Sequence, residues 1–177
     1  MSLNDLMTTH ADKLRAKTGV TDKLSVVDMT RLLDDLSWNK TNLLKGTSDQ
    51  YKELTGTSWL GVSTDGSPTI PASFGETFTY AVDIKNVKGS SVDLQIHEID
   101  SSNHRYYRGS SPRISAGEEK ELYITETMEH KDCKYIEVSI WGMADNPGSV
   151  LQVKNERLYR GTEPGVWTPN PADKVGG

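Results

Sequence analysis

The strongest constraint on this chain is a two-residue alternation of apolar and polar side chains, which recurs in separate short segments between residues 78 and 160. The segments read FTYAVDI, SVDLQIHE, ELYIT, KYIEVSIW and VLQVKNERLY, and turn-forming stretches such as NVKGSS, DSSNHR and SAGEE separate them. Because successive side chains of a strand point to opposite faces, each segment predicts a strand with one apolar face. Short strands at this spacing predict a mainly β fold, an antiparallel β-sandwich of the jelly-roll type. The predicted inward side chains are Phe78, Tyr80, Val82, Ile84, Val92, Leu94, Ile96, Leu122, Ile124, Ile136, Val138 and Ile140.

The first 38 residues follow a helical pattern, and we predict a short two-helix segment that precedes the sandwich. Ser25 is a suitable N-cap for the second helix. Two helices this short cannot bury both of their apolar stripes, so we expect residues 1–38 to attach to other proteins or to form a homo-oligomer, a trimer or a dimer. The alternative is that they pack on the adjacent β-domain. The two stripes are Leu3, Leu6, Met7 and Leu14, and then Met29, Leu32, Leu33 and Leu36.

The composition argues against several classes of protein. A formal net charge of −5 argues against nucleic-acid binding, because phosphate contacts need clustered lysine and arginine. No segment approaches the roughly 20 apolar residues of a membrane-spanning helix, so we expect no membrane partner. We also read no signal peptide at the start of the sequence. The single cysteine, Cys133, excludes an intrachain disulfide and a cysteine-rich zinc site.

Catalytic motifs are absent from the sequence, and we predict that the protein is not an enzyme. None of GxGxxG, GxxxxGK[ST], HExxH and GxSxG occurs, and the four histidines lack the paired spacing of metal ligands. Cys133 lies near His130 at the start of a strand, where a packing role is a simpler interpretation than a Cys–His pair. A glycosidase needs only two carboxyl groups at the right separation, but most acidic residues here fall in turns or on solvent-facing positions.

We expect no cofactor, with a structural calcium ion as the one alternative. Asp65, Asp100 and Asp145 all lie in predicted turns, where carboxylate oxygens can bind calcium. No EF-hand spacing accompanies these residues.

One strand carries an aromatic residue at each end of the face opposite the predicted core. In KYIEVSIW this face consists of Tyr135, Glu137, Ser139 and Trp141, and SVDLQIHE would add Asp93, Gln95 and His97 if both strands lie on one surface. Aromatic rings pack on the C–H faces of sugars, while carboxylate, amide and imidazole groups bind sugar hydroxyls. A shallow, pre-formed site of this kind is typical of ligand recognition. We therefore predict a saccharide-binding surface that includes Trp141, His97, Gln95, Glu137 and Tyr135.

Further aromatic residues are candidates for the same role. In HRYYRGSSPR, Tyr106 and Tyr107 are flanked by arginines in a loop or edge strand, where one tyrosine must point outward. Interleaved aromatic residues and arginines also hold single-stranded nucleic acid, although the acidic chain weighs against that alternative. Trp59, in GTSWLGVS, serves either as a core anchor or as a ligand platform. For each of these residues the alternative is partial burial with the polar edge hydrogen-bonded.

Two segments resemble a known family. NLLKGTSDQYKELTGTSW and NERLYRGTEPGVWTPNPAD look like the opening and closing segments of carbohydrate-binding modules in tailed phages of Gram-positive bacteria. The resemblance covers residues 42–173. Separately, ADKLRAKTGVTDKLSVVDMTRLL is similar to a helical segment common in phage virion proteins.

The resemblance implies a jelly roll that binds saccharides of the host surface, mounted on a virion through residues 1–38. The implied partners are cell-wall polysaccharide and other virion proteins, and the implied location is the virion, after synthesis in the host cytoplasm. The rival hypothesis is a decoration or assembly module, in the tail, baseplate or capsid, without glycan binding. The family supplies no site motif that matches here. It does imply that Trp167 folds back across the end of the sandwich as a plug.

Overall fold

Two units make up the chain, Met1–Asn39 and Lys40–Gly177. The structure, a computed structural model, describes residues 3–18, 23, 25, 29, 41–55, 70–142 and 148–174. In the first unit a helix, α1, spans Leu3–Thr18, as the apolar spacing predicts. No helix in the part of the chain that the structure describes is long and apolar enough to span a membrane.

The second predicted helix lies outside the described residues, apart from Ser25 and Met29. The amide of Met29 donates to the carbonyl oxygen of Ser25 at 2.9 Å. A bond from residue i to residue i−4 is that of an α-helix, and it fits Ser25 as the first acceptor. The attachment and oligomerisation of residues 1–38 stay predictions.

The described residues of the second unit form two antiparallel sheets, which confirms the predicted sandwich and its jelly-roll class. Sheet I has the strand order β1-β8-β3-β6, and sheet II has the order β2-β7-β4-β5. Every pairing between neighbouring strands is antiparallel. The strands are β1 (Lys52–Thr55), β2 (Ile70–Pro71), β3 (Thr77–Lys88), β4 (Asp93–Asp100), β5 (Arg105–Ser110), β6 (Glu119–Thr127), β7 (Cys133–Trp141) and β8 (Val150–Arg160), followed by a short 3₁₀-helix, Pro171–Lys174.

The core lies between the two sheets and contains all of the side chains predicted to face inward. Because apolar and polar side chains alternate, each strand has one apolar face, and the two sheets pack together through these faces. Tyr80 is fully buried and still satisfies its polar end, since its hydroxyl donates to Glu156 Oε1 at 2.7 Å. Burial raises the pKa of Tyr80 well above its ordinary value.

A buried asparagine joins the beginning of the sandwich to its last strand. Asn42 Oδ1 accepts the amides of Leu44 at 3.1 Å and Leu158 at 3.0 Å. Its amide nitrogen donates to Thr47 Oγ1 at 3.1 Å and to the carbonyl oxygen of Glu156 at 2.9 Å. Asn42 is fully buried, so each of these bonds replaces one that the group would make with water.

The closing segment, residues 161–173, returns to the opening segment around Asn42. Trp167 Nε1 donates to Thr47 Oγ1 at 3.0 Å, and Asn170 Nδ2 donates to the carbonyl oxygen of Asn42 at 2.8 Å. The carboxylate of Asp173 accepts the amide of Gly46 at 2.9 Å. Trp167 therefore folds back on the opening segment, as the resemblance implies. Its side chain is only half-buried, so it lies beside the core rather than inside it.

We expect Asn42→Ala to lower the free energy of unfolding by about 2–4 kcal/mol, because it leaves the buried amides of Leu44 and Leu158 without an acceptor. Urea unfolding measures the change. Gln50→Ala, in an exposed side chain of the same segment, is the control and should change the stability by less than about 0.5 kcal/mol. Equal stability of the two variants would contradict the anchoring role of Asn42.

Candidate saccharide-binding face

Three adjacent strands bring most of the predicted site residues to the outer face of sheet II. The register places Gln95 opposite Ser139, and His97 opposite Glu137, across β4 and β7. Asp93 pairs with Trp141 at one end of β7. We call this surface the sheet II face; it comprises Asp93, Gln95, His97, Arg105, Tyr107, Tyr135, Glu137 and Trp141.

Aromatic side chains mark the two ends of the face along β7. Tyr135 is exposed at one end, and Trp141 is half-buried at the other. Six residues of strand separate their Cα atoms by about 20 Å. Tyr107, on the edge strand β5, is 56% exposed and lies opposite His97, so the face has a third ring at its side. The surface is long enough for an extended ligand to contact more than one ring.

An arginine fixes the polar groups at the centre of the face. Arg105 donates to Glu137 Oε1 at 2.7 Å, and its guanidinium lies 3.4 Å from His97 Nδ1. The ring of Tyr107 contacts the imidazole of His97 edge to face, with centroids 5.6 Å apart. The carboxylate and imidazole are therefore held in place before any ligand arrives.

A second arginine–carboxylate contact lies at the end of the face near Trp141. Arg113 donates to Asp93 Oδ2 at 2.8 Å, and Gln95 Nε2 lies 3.3 Å from Asp93 Oδ1. The alternation predicts both Asp93 and His97 on the outer side, and the register confirms that position. Both are nevertheless buried, with 3% and 7% of their surface exposed. Arg113 and Gln95 contact Asp93, and Tyr107 and Arg105 contact His97.

Burial of His97 changes its protonation. Desolvation, followed by the positive charge of Arg105, lowers the pKa of His97 from an ordinary value of 6.5 to about 4. The imidazole is therefore neutral at neutral pH. One ring nitrogen of a neutral imidazole donates a hydrogen bond and the other accepts one.

Two predicted positions do not belong to the exposed face. Tyr106 lies on the other side of β5 from Tyr107, where its hydroxyl donates to Asp100 Oδ2 at 3.0 Å and its ring stacks on His130 at 3.8 Å. Ser139 is on the correct side, but it is fully buried. Trp59 lies outside the described residues. As ligand contacts, the other members of the face stay predictions.

Sequence reasoning missed Arg105 as a member of the sheet II face and Arg113 as the partner of Asp93. It placed both only as neighbours of the tyrosines in HRYYRGSSPR. The usable signal was the alternation in β5, which puts Arg105 and Tyr107 on one side of the strand. The carboxylates that these arginines contact could not be predicted. The contacts depend on which strands are neighbours, and the sequence of one strand does not show its neighbours.

The Cys–His alternative does not fit the structure. Burial raises the pKa of the Cys133 thiol to about 11, so the sulfur stays protonated at neutral pH and is a poor nucleophile. His130 instead contacts a buried carboxylate, with Nδ1 2.5 Å from Glu98 Oε2. Arg108 Nε is 3.2 Å from the other oxygen of Glu98, a charge contact that lacks hydrogen-bond geometry. This cluster anchors the turn before β7.

The calcium alternative stays an expectation, and the one described aspartate among its candidates, Asp100, is already hydrogen-bonded within the protein. Asp100 uses Oδ1 to accept the amides of Ser102 and His104, each at 2.8 Å. These backbone bonds, with that of His104 the larger, lower the pKa of Asp100. Among the described residues, no group of three or more His, Cys, Asp or Glu side chains could hold a metal ion. Asp65 and Asp145 lie outside those residues.

No family model matches the chain, and no curated protein matches it. Among solved structures it is similar to the tripod from the baseplate of bacteriophage Tuc2009, at 14% identity and a TM-score of 0.49, over 77% of this chain and 60% of that chain. It is also similar to a family 22 carbohydrate-binding module joined to a family 10 xylanase of Clostridium thermocellum, complexed with xylohexaose, at 13% identity and a TM-score of 0.43.

That match covers 73% of this chain and 25% of the xylanase chain. A third similar structure is the xylan-binding domain of a Paenibacillus barcinonensis xylanase, at 8% identity and a TM-score of 0.39, over 68% of this chain and 91% of that domain. The chain thus spans a quarter of the xylanase and less than two thirds of the baseplate protein. These matches are to two carbohydrate-binding proteins and one phage baseplate protein.

The lowered pKa of His97 makes the stability depend on pH. Between pH 6.5 and about 4 the unfolded chain binds a proton that the folded protein does not, so the free energy of unfolding falls as the pH is lowered through this window. The slope from this group is at most about 1.4 kcal/mol per pH unit.

Urea unfolding at a series of pH values tests this expectation. His97→Gln should flatten the dependence between pH 4 and 6.5, whereas Gln50→Ala, in an exposed residue that has no titratable group, should leave it unchanged. An unchanged slope in His97→Gln would show that other groups cause the pH dependence.

Proposed function

We propose that the sandwich binds saccharide chains of a host cell surface on the sheet II face, as a non-catalytic accessory protein of a phage virion. One observation carries this proposal: aromatic rings at both ends and at the side of one sheet face enclose fixed hydrogen-bonding groups on three adjacent strands. Rings and planar polar groups together match the alternating C–H and hydroxyl surfaces of a sugar.

The rings would supply most of the contact area. Tyr135 and Tyr107 are both exposed. Trp141 presents part of its ring at the far end of β7. A ring that is already held in a strand loses little conformational freedom when a flat sugar face packs on it.

The polar groups between the rings would supply specificity. Glu137 accepts a hydrogen bond from Arg105 through Oε1, and its second carboxylate oxygen remains able to accept one from a sugar hydroxyl. Gln95, on the neighbouring strand β4, is half-buried and offers an amide donor and acceptor. Because the ion pair fixes Glu137 in advance, binding requires little reorganisation of the face.

The carboxylates of the face support binding rather than hydrolysis. A glycosidase uses two carboxyl groups that flank the scissile bond, one of them protonated. Here Glu137 and Asp93 each form an ion pair with an arginine, at 2.7 Å and 2.8 Å, so both carboxylates already have a partner within the protein.

The virion assignment rests on the sequence resemblance and on an argument from avidity. A shallow face of this size would hold a polysaccharide weakly. Many copies on one particle convert later binding events into intramolecular ones, and effective concentration then raises the overall affinity by about 10²–10⁴. Attachment through residues 1–38 would provide the copies.

The rival remains a structural decoration or assembly module. The ion pairs Arg105–Glu137 and Arg113–Asp93 would also suit a polar contact with another virion protein. The two hypotheses differ in whether the protein binds isolated polysaccharide. A saccharide-binding face retains a sugar polymer without any other virion protein, and a decoration surface does not.

We expect Tyr107→Ala and Trp141→Ala each to weaken binding to isolated Gram-positive cell-wall polysaccharide by about threefold to tenfold, because each removes a stacking ring. The fluorescently tagged protein is titrated with the polysaccharide and applied to whole cells of a broad strain panel. Tyr123→Ala is the matched control: Tyr123 is 54% exposed, close to the 56% of Tyr107, and lies on the outer face of sheet I.

The outcomes separate the hypotheses. Wild-type binding that both variants retain would place the site elsewhere on the sandwich. No binding by the wild type to any strain or polysaccharide would favour the structural rival. Circular dichroism of each variant confirms that a loss of binding is not a loss of fold.

A further inference from the structure

A concave pocket of about 580 Å³ lies on the opposite side of the sandwich, on the outer face of sheet I. Its lining includes Tyr51 before β1, Asp83 on β3, Asn155 and Arg157 on β8, and Trp167 in the closing segment. None of these residues belongs to the sheet II face. The volume falls within the range of small-molecule sites in proteins.

A β-bulge builds the floor of this pocket. The pairing of β3 with β8 shifts its register between Ala81 and Asp83, and Asn155 has a positive φ of 52°. Bulges redirect side chains and are frequent beside binding sites. Here the bulge directs the amide of Asn155 to Asp83, and Nδ2 donates to Oδ2 at 2.7 Å.

The closing segment forms one wall because an arginine holds it. Arg157 Nε donates to the carbonyl oxygens of Pro164 at 2.9 Å and Gly165 at 3.1 Å. Its side chain is 5% exposed and also contacts the carboxylate of Glu121. The wall is therefore fixed to the sheet, and it carries the half-buried Trp167 and the 86% exposed Val166 into the pocket lining.

A second aromatic ring, that of Tyr51, also lines the pocket. The hydroxyl of Tyr51 donates to Glu119 Oε1 at 2.7 Å, and this bond is the main cause that raises the pKa of Tyr51 to about 12. The ammonium of Lys154 lies 4.5 Å from the ring centroid. Both contacts fix the ring, which keeps 39% of the residue surface exposed.

The charges of the pocket balance. Its lining has three carboxylates and three basic groups, which are Asp83, Glu119, Glu121, Lys120, Lys154 and Arg157. A balanced pocket has no field that selects a charged ligand, but it offers many donors and acceptors to hydroxyl groups. Two aromatic residues and an exposed valine add apolar surface.

We propose that this pocket is a second saccharide site, which binds a neutral sugar unit between Tyr51 and Trp167, with Asp83 and Asn155 as hydroxyl-binding groups. The site does not depend on the sheet II face, and it gives one module two sugar-binding surfaces on opposite sides of the sandwich. Two glycan chains could then be held by one copy.

Indole N–H signals in ¹H–¹⁵N NMR spectra test the proposal on the full chain. Trp167 reports on the pocket and Trp141 on the sheet II face, and Trp167→Phe and Trp141→Phe assign the two signals. The probe is a set of neutral oligosaccharides obtained by size fractionation of Gram-positive cell-wall polysaccharide, together with xylohexaose. We expect both signals to move, with separate saturation curves.

Three variants show whether the Trp167 signal reports direct binding. Tyr51→Ala should weaken saturation at Trp167 by up to about tenfold and leave Trp141 unchanged. Asn155→Gly should weaken it severalfold without unfolding the bulge, because glycine accepts a positive φ. Tyr123→Ala, on the same sheet face but outside the pocket lining, should have no effect.

Each outcome decides between the two sites. Movement of Trp141 alone overturns the second site and leaves the proposed function intact. Movement of Trp167 alone supports the pocket and overturns the sheet II face as the binding surface. If neither signal moves with any oligosaccharide, both are overturned. A Trp167 shift that Tyr51→Ala and Asn155→Gly do not alter would also overturn the second site, because the shift would then be indirect.

Discussion

The buried amide of Asn42 is the constraint on which the rest of this sandwich depends. The pairing of β1 with β8 covers only Val150–Val153, so β8 would lack a partner further along on that side. The opening segment supplies the missing bonds: Asn42 Oδ1 accepts the amide of Leu158, and the amide of Leu43 donates to the carbonyl oxygen of Leu158 at 2.9 Å. An unpaired backbone group at a fully buried position would cost about 1–3 kcal/mol, which explains why a side chain takes the place of a strand here.

The alternation of side chains separates the parts of each strand that stabilise the fold from the parts that can bind a ligand. On β7, Ile136, Val138 and Ile140 are buried in the core, while Tyr135 and Glu137 lie on the outside. A change on the outer face therefore removes little core packing. This arrangement suits a binding protein, because its surface can change while the sandwich is retained.

The sequence predicts the strands and the core well, since both follow from a local period of two. It predicts that β4 and β7 would each have a polar face, but not that the strands are neighbours or that Arg105 reaches Glu137. Those facts depend on pairing between residues far apart in the chain. The burial of His97 was missed for the same reason, because neighbouring strands cover a side chain that alternation alone would leave in water.

The pocket on the outer face of sheet I is even harder to predict from the sequence. Its floor depends on one extra residue at Asn155, and its wall depends on bonds from Arg157 to two backbone carbonyl groups. Neither has a signature in the amino-acid pattern, since a carbonyl group is present at every position. The family resemblance implies only a plug at Trp167, although its bond to Thr47 also leaves Trp167 in the pocket lining. The same bond that helps to close the sandwich thus positions a ring in the pocket lining, so stability and the proposed recognition share this contact.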